Sequence, residues 1–272
     1  MKNKFLKFQL LFLLLVFPVF VSAQNLDEKL KEIDAYAEKT RQDWNVPGIA
    51  VAIVKDDKVI FAKGYGVREI GKPEKVDENT LFAIASNSKA FTTATLAMLV
   101  DEGKINWDDK VIKYLPEFQL ADAYTTREMT IRDLVSHRSG FDTFSGDLLW
   151  YETIYTNDEI LSRLRYLKPK TSFRSSYGYQ NLMFIAAGKV LERVSGKPWS
   201  EFVRERILTP LRMNNTRTSI KDYKTGDNVA VPHNELKGGV KLRALPQGNV
   251  DGGAGAMRIN SSAADVANWL RL

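Results

Sequence analysis

The chain of 272 residues contains no cysteine and only two histidines. The first absence excludes disulfide scaffolds, thiol nucleophiles, cysteine-rich zinc sites and thiol redox chemistry, and the second leaves no room for a multi-histidine metal centre. Nor is there an apolar run of ordinary membrane-spanning length. The longest, Leu10–Val21, has 12 members and contains Pro18, where roughly 20 apolar residues are needed. What is left to carry chemistry is serine, lysine, tyrosine and the carboxylates. They sit in a chain that is 44% hydrophobic and 26% charged, the balance of an ordinary globular protein.

The short apolar run has a different meaning. Lys2, Lys4 and Lys7 precede it and Val21-Ser22-Ala23 follows it, the pattern of a secretory signal peptide cleaved after Ala23. Residues 1–23 are therefore expected to be removed, leaving a periplasmic or secreted protein of 249 residues with no stable membrane span. Three of the 39 basic residues leave with the signal, so 36 remain against 33 acidic ones. They are scattered among the acids, as in Arg204, Glu205 and Arg206, without the basic stripe that nucleic acid requires. Nucleic acid is excluded as a partner, and oligomeric state is left open.

Residues 26–44 carry Leu26, Leu30, Ile33, Tyr36 and Ala37 at helical spacing, which predicts an amphipathic helix. Gly48–Lys55 and Lys58–Gly66 read as a β-hairpin turning at Asp56-Asp57. Between Ala90 and Val100 the only polar residues are three threonines, so a helix starting near Ser86 belongs in the core and stops at Gly103. From about residue 108 to 213 the pattern is helical, with helices predicted at Thr130–Ser136, Asn157–Tyr166, Leu182–Val194 and Trp199–Leu208. Residues 214–257 read as a long loop region, and Ser262–Leu272 as a last helix. A two-stranded hairpin cannot cover so apolar a helix. The chain is therefore expected to be the amino-terminal part of a longer protein.

Ser86-Asn87-Ser88-Lys89 is an S-x-x-K motif, a spacing that puts a nucleophile and its base one helical turn apart on one face. With 15 serines and 23 lysines, about one match is expected by chance. This one falls at the start of the most apolar helix, where a lysine can lose hydration and become a base near neutral pH. The same residues also suit a plainer role, Ser86 or Ser88 as a helix cap and Lys89 on the surface. The sequence contains two Y-x-N triplets. In Tyr155-Thr156-Asn157 the asparagine precedes two acids and an apolar run and reads as a cap. Tyr179-Gln180-Asn181 follows a loop with Pro169 and Gly178, from which the phenol can project into a cleft; its plainer reading is a buried tyrosine with Asn181 capping the next helix.

Four segments taken together carry a resemblance: FAIASNSKAFTT from Phe82, LVSHRSGF from Leu134, FRSSYGYQNLMFIAAGKVLERVSGKPW from Phe173 and GGAGAMRINSSAADVANWL from Gly252. From about Leu26 to its end the chain resembles the serine β-lactamase and penicillin-binding-protein superfamily, in its class C and related esterase or peptidase branch. The resemblance implies an α/β (α+β) fold of the β-lactamase/transpeptidase type, an antiparallel sheet flanked by helices with a large helical insertion, here the block at about 108–213. It implies Ser86 as the acylated nucleophile, Lys89 as its proton acceptor, Tyr179 as the phenol that relays protons, and Asn181 as an amide orienting the substrate. Whether Lys89 or Tyr179 takes the first proton stays open. The substrate would be a small molecule or peptide with an amide, β-lactam or ester carbonyl, and no metal or organic cofactor is implied.

The family's third element, a Lys-Thr-Gly or His-x-Gly triplet on a late strand, is expected beyond the DVANW helix. Lys224-Thr225-Gly226 lies in a polar stretch and reads as a turn, and His233 has no glycine two residues on. Without that element the binding-only alternative gains ground: a penicillin-binding-like module that holds wall fragments or a protein partner. A Ser-His-Asp hydrolase is disfavoured, because there is no G-x-S-x-G elbow and His137 sits at a helix end before Gly140. Ser262 with Asp265 reads as a capping box, and Gly252–Gly255 lacks the context of a phosphate loop.

Overall fold

A computed structural model describes residues 26–235, 242–244 and 251–272; the expected signal peptide lies outside them. Helix α1 covers residues 26–43 and leads into a hairpin of β1 (Gly48–Lys55) and β2 (Lys58–Gly66), paired from Gly48↔Gly66 to Lys55↔Lys58. Asp56 and Asp57 turn it with φ of +49° and +58°, the twist that a tight two-residue hairpin loop demands and that aspartate tolerates. Asp34 ties α1 to the hairpin, its carboxylate accepting from the Tyr65 hydroxyl at 2.6 Å and from Lys63 at 2.7 Å.

Between Ser88 and Leu208 the regular structure is helical. After the short strand β3 (Phe82–Ala83) comes α2 (Ser88–Asp101), then α3 (Ala123–Glu128), α4 (Ile131–Leu134), α5 (Asn157–Ser162), α6 (Leu182–Ser195) and α7 (Trp199–Val203), which runs on into a π-helical turn at Arg204–Leu208. The core lies among these helices, with Phe91, Leu96 and Leu99 of α2 packed against Leu182–Ala187 of α6 and Trp199 of α7. Thr92 and Thr95 are buried in α2 without penalty, because Thr92 donates to Gly255 O and Thr95 to Thr92 O, and the half-buried Thr93 donates to Lys89 O. Gly196 closes α6 at φ +71°, the left-handed cap that glycine adopts without strain.

Residues 214–257 are not loop throughout. β4 (His233–Glu235) pairs antiparallel with β5 (Leu242–Ala244), a hairpin that the polar composition conceals. β6 (Asn260–Ser261) pairs with β3, and α8 (Ala263–Trp269) follows, packed on β1 and β2. The fold is a mixed α/β arrangement of helices and small antiparallel sheets. Among the described residues no helix is long and apolar enough to cross a membrane.

Two caps differ from expectation. The cap of α5 is Thr156, whose hydroxyl and the Glu159 carboxylate form a reciprocal box, so Asn157 is already inside the helix. Threonine with glutamate three residues on outcompetes the asparagine because it satisfies two orphan backbone donors instead of one. At α8 the Ser262 hydroxyl accepts from Asp265 N–H, but the Asp265 carboxylate turns away to accept from the backbone N–H groups of Asn215 and Thr216. Half of the expected box is present, and the other half ties a distant loop.

Candidate active site

The segment carrying Ser86 is shaped by its backbone. Ala85 stands at φ +46°, a conformation that costs a residue with a Cβ about 1 kcal/mol or more. From there a 3₁₀ turn at Ala85–Asn87 runs directly into α2. Asn87 ties the turn, donating from its side chain to Ile84 O at 2.8 Å. Neither serine caps the helix: the α2 cap position is Asn87, with no side-chain cap bond, and the Ser88 hydroxyl accepts instead from Ile259 N–H at 3.0 Å.

Lys89 is not a surface residue. It is 7% exposed, and its Nζ meets three oxygens: Asn181 Oδ1 at 2.7 Å, Ala256 O at 3.0 Å and Ser86 Oγ at 3.0 Å. The Tyr179 ring centroid lies 4.8 Å from the same nitrogen and that of Phe184 5.3 Å away. Burial lowers the Lys89 amine to a pKa of about 8, a fall that the Asp147 carboxylate opposes.

Asn181 occupies the cap position of α6, yet its side chain caps nothing. It accepts from Lys89 through Oδ1 and donates through Nδ2 to Asp147 Oδ2 at 2.8 Å. Tyr179 is held by its surroundings. Its N–H donates to Thr143 Oγ at 3.1 Å and its C=O accepts from Phe144 N–H at 2.9 Å. Its ring stacks on His137 with centroids 4.4 Å apart, and Phe144 meets it edge-on at 5.4 Å. Gly178 before it has no room for a side chain, since a Cβ would meet Phe141 O at 2.0 Å.

His137 accepts from Gln180 N–H through Nδ1 at 3.0 Å, and its C=O accepts from Gly178 N–H. Burial first, and the Lys89 charge second, lower its pKa, which favours the neutral form of the ring behind Tyr179. The structure thus brings Ser86, Lys89, Tyr179 and Asn181 together and puts His137 in support of the loop. A buried amine of lowered basicity in contact with a serine hydroxyl can take that hydroxyl's proton; the Asn87 and Ser88 N–H groups donate to Ile84 O and Ala85 O within the turn, and the Ser86 N–H can meet a developing oxyanion.

A family model described as Beta-lactamase matches residues 33–272. The chain belongs to the Beta-lactamase family. Among curated members, a protein named unguisins hydrolase ungD' from Aspergillus campestris is 32% identical, the match covering 91% of this chain and 47% of that protein. Among solved structures, the octameric penicillin-binding protein homologue from Pyrococcus abyssi superposes with a TM-score of 0.77 at 25% identity, covering 89% of this chain and 55% of that one. FmtA from Staphylococcus aureus gives 0.75 at 26% identity, covering 90% and 65%. The chain spans about half the length of the curated relatives it matches. The fold is the β-lactamase/transpeptidase-like one of this family, and membership places the chain among serine hydrolase-like proteins.

Other motifs stand apart from this Beta-lactamase-type site. Lys224-Thr225-Gly226 is a turn closed by Lys224 and Asp227, with Gly226 at φ +89°. His233 lies in β4 and accepts from Ile70 N–H at 3.0 Å through Nε2. Tyr155 of the first Y-x-N triplet lies under Arg163, whose guanidinium carbon is 4.0 Å from its ring centroid. Two contributors to the site escape sequence reasoning. Ala256 acts through its backbone carbonyl, which no side chain announces. Asp147 is one acid among many, and the only signal that could have marked it is its place between the left-handed Gly146 and Trp150 in the loop preceding the Y-x-N triplet.

Proposed function

We propose that the protein is an exported serine acyl hydrolase that works through an acyl-enzyme on an amide, β-lactam or ester carbonyl. The observation that carries this reading is the buried Lys89 amine 3.0 Å from the Ser86 hydroxyl. The Lys89 amine takes the hydroxyl proton while Ser86 Oγ bonds to the substrate's carbonyl carbon. The tetrahedral intermediate collapses by breaking the bond from that carbon to the leaving nitrogen or oxygen. The departing atom takes a proton passed from the Lys89 ammonium by the Tyr179 phenol. Water then attacks the ester on Ser86, gives up a proton to the same pair, and the acid departs as Ser86 regains its hydrogen. Each N–H aimed at the oxyanion is worth about 2.7–4 kcal/mol of barrier. Support for export is the basic, apolar and small-residue pattern of residues 1–23, and support for acyl hydrolysis includes a relative named as a hydrolase.

The test is covalent labelling. Incubation with a fluorescent penicillin and with p-nitrophenyl acetate, followed by intact mass measurement, should show an adduct that Ser86→Ala abolishes. Ligand binding without an adduct from any acyl donor would replace this reading with that of a binding module. Equal activity in Ser86→Ala would remove Ser86 from the mechanism.

A further inference from the structure

A neutral lysine amine has two N–H bonds and one lone pair, whereas the ammonium has three N–H bonds. Three oxygens surround Lys89 Nζ, two of them carbonyls and one the Ser86 hydroxyl. The ammonium donates to all three. The neutral amine donates to Asn181 Oδ1 and Ala256 O, and its lone pair is then aimed at Ser86, the one oxygen of the three that carries a proton to give. This aim depends on which end of the Asn181 amide faces the amine. A flipped amide would present NH₂, the lone pair would accept from it, and Ser86 would lose its base.

Asp147 decides that orientation. A carboxylate only accepts, and its Oδ2 takes the Asn181 Nδ2–H at 2.8 Å while its Oδ1 takes Trp150 Nε1–H at 3.0 Å. Trp150 is 5% exposed, so the carboxylate is held from the core side. With both oxygens occupied by donors, the amide has one way to sit. The titratable groups around Lys89 are Asp147 on the turn at Asp147–Leu149, Tyr179 in the loop before α6, and His137 behind Tyr179. Asp147 is the carboxylate among them, and it favours the ammonium where burial disfavours it.

We propose that Asp147 is a positioning residue of the acyl-transfer site: by holding the Asn181 amide in one orientation it aims the Lys89 lone pair at Ser86. The role rests on the acyl-hydrolase reading. It divides the work within the site, since Asn181 touches the amine and Asp147 acts only through Asn181 and through its charge.

Asp147→Asn keeps the side-chain shape and turns one acceptor oxygen into a donor, so either Trp150 or Asn181 loses its partner and the amide is released. Two readouts follow it. The first is the titration of Lys89, by NMR of ¹³C-labelled lysine assigned with Lys89→Arg, which requires no turnover. The second is the p-nitrophenyl acetate acylation burst across pH in wild type, Asp147→Asn, Asn181→Ala and the double variant. The Lys89 titration should move to lower pH in Asp147→Asn. The plateau burst rate should fall at least tenfold there, and the double variant should be no slower than Asn181→Ala. An unmoved titration, or losses that simply multiply, would overturn the proposal. Should Asp147→Asn misfold, Trp150→Phe frees one carboxylate oxygen and keeps the charge; it should lower the plateau with the titration unmoved, and an unchanged plateau would equally overturn the proposal. A wild type without any burst sinks the acyl-hydrolase reading instead, and the NMR titration still decides whether Asp147 governs Lys89.

Discussion

Trp199 donates from Nε1 to the hydroxyl of Thr92 at 2.9 Å, and that hydroxyl donates onward to the Gly255 carbonyl at 2.7 Å. One buried hydroxyl thus joins α2, α7 and the segment that delivers Ala256 to Lys89. Thr92→Val keeps the volume and strands a donor and an acceptor, each costing about 1–3 kcal/mol. Urea denaturation should show a loss of about 2 kcal/mol or more. A loss below 0.5 kcal/mol, on the order of the background for surface substitutions, would mean that water replaces the hydroxyl.

Gly255 itself offers a sharper probe of the same segment. It stands at φ +89°, and a Cβ there would meet Phe184 O at 2.4 Å. Gly255→Ala should therefore push the Gly255–Ala256 backbone away from α6 and loosen the carbonyl contact with Lys89. The acylation burst should slow at least as much as in Thr92→Val. An unchanged burst would show that the Ala256 carbonyl is dispensable.

The acylation rate should follow the neutral fraction of Lys89. Burial lowers that amine to about 8, so about a tenth of the sites carry the free base at pH 7, against roughly one in three thousand for an ordinary lysine. A lowered lysine pKa makes the base available at lower pH, so the burst rate should rise about tenfold per unit up to pH 8 and level off above it. A limb that keeps rising to pH 10 would assign the proton transfer to a group of ordinary basicity.

Asp133 sets the acid limit of the helical half. Its carboxylate is fully buried; burial alone would raise its pKa, but hydrogen bonds from Arg174, Thr130 and Arg138 outweigh that and hold it at about 2. The unfolded chain takes up this proton first, near pH 3.9, so stability from this group is complete above that value and drains away as pH falls toward 2. The loss is at most about 2 kcal/mol, because both arginines remain more than a third exposed. Thermal melts from pH 5 to 2 should show this component in wild type and lose it in Asp133→Asn.

What could be read from the linear chain was whatever lies within one element. The hairpin turn at Asp56-Asp57, the buried helix after Ser86 and its glycine stop at Gly103 each announce themselves through neighbours a few positions away. Ser86 and Lys89 belong to this class, since three residues along a helix is a contact. The partners that aim them do not. Asp147 reaches Asn181 across 34 positions and Ala256 reaches Lys89 across 167, and neither distance leaves a periodic trace. The cap of α5 is a different case: Asn157 looks like a cap from the acids that follow it, but Thr156 with Glu159 three residues on is itself a capping-box pattern in the sequence, and it is the one that forms.

The Lys89–Ala256 bond also fixes when the site can exist during biosynthesis. Lys89 leaves the ribosome 167 positions before the carbonyl that completes the amine's surroundings, and Ser86 just ahead of it, an interval on the order of ten seconds at usual elongation rates. On the acyl-hydrolase reading, the nascent chain carries through that interval a nucleophile without its aimed base. On that reading Ser86 stays silent until synthesis has passed Ala256.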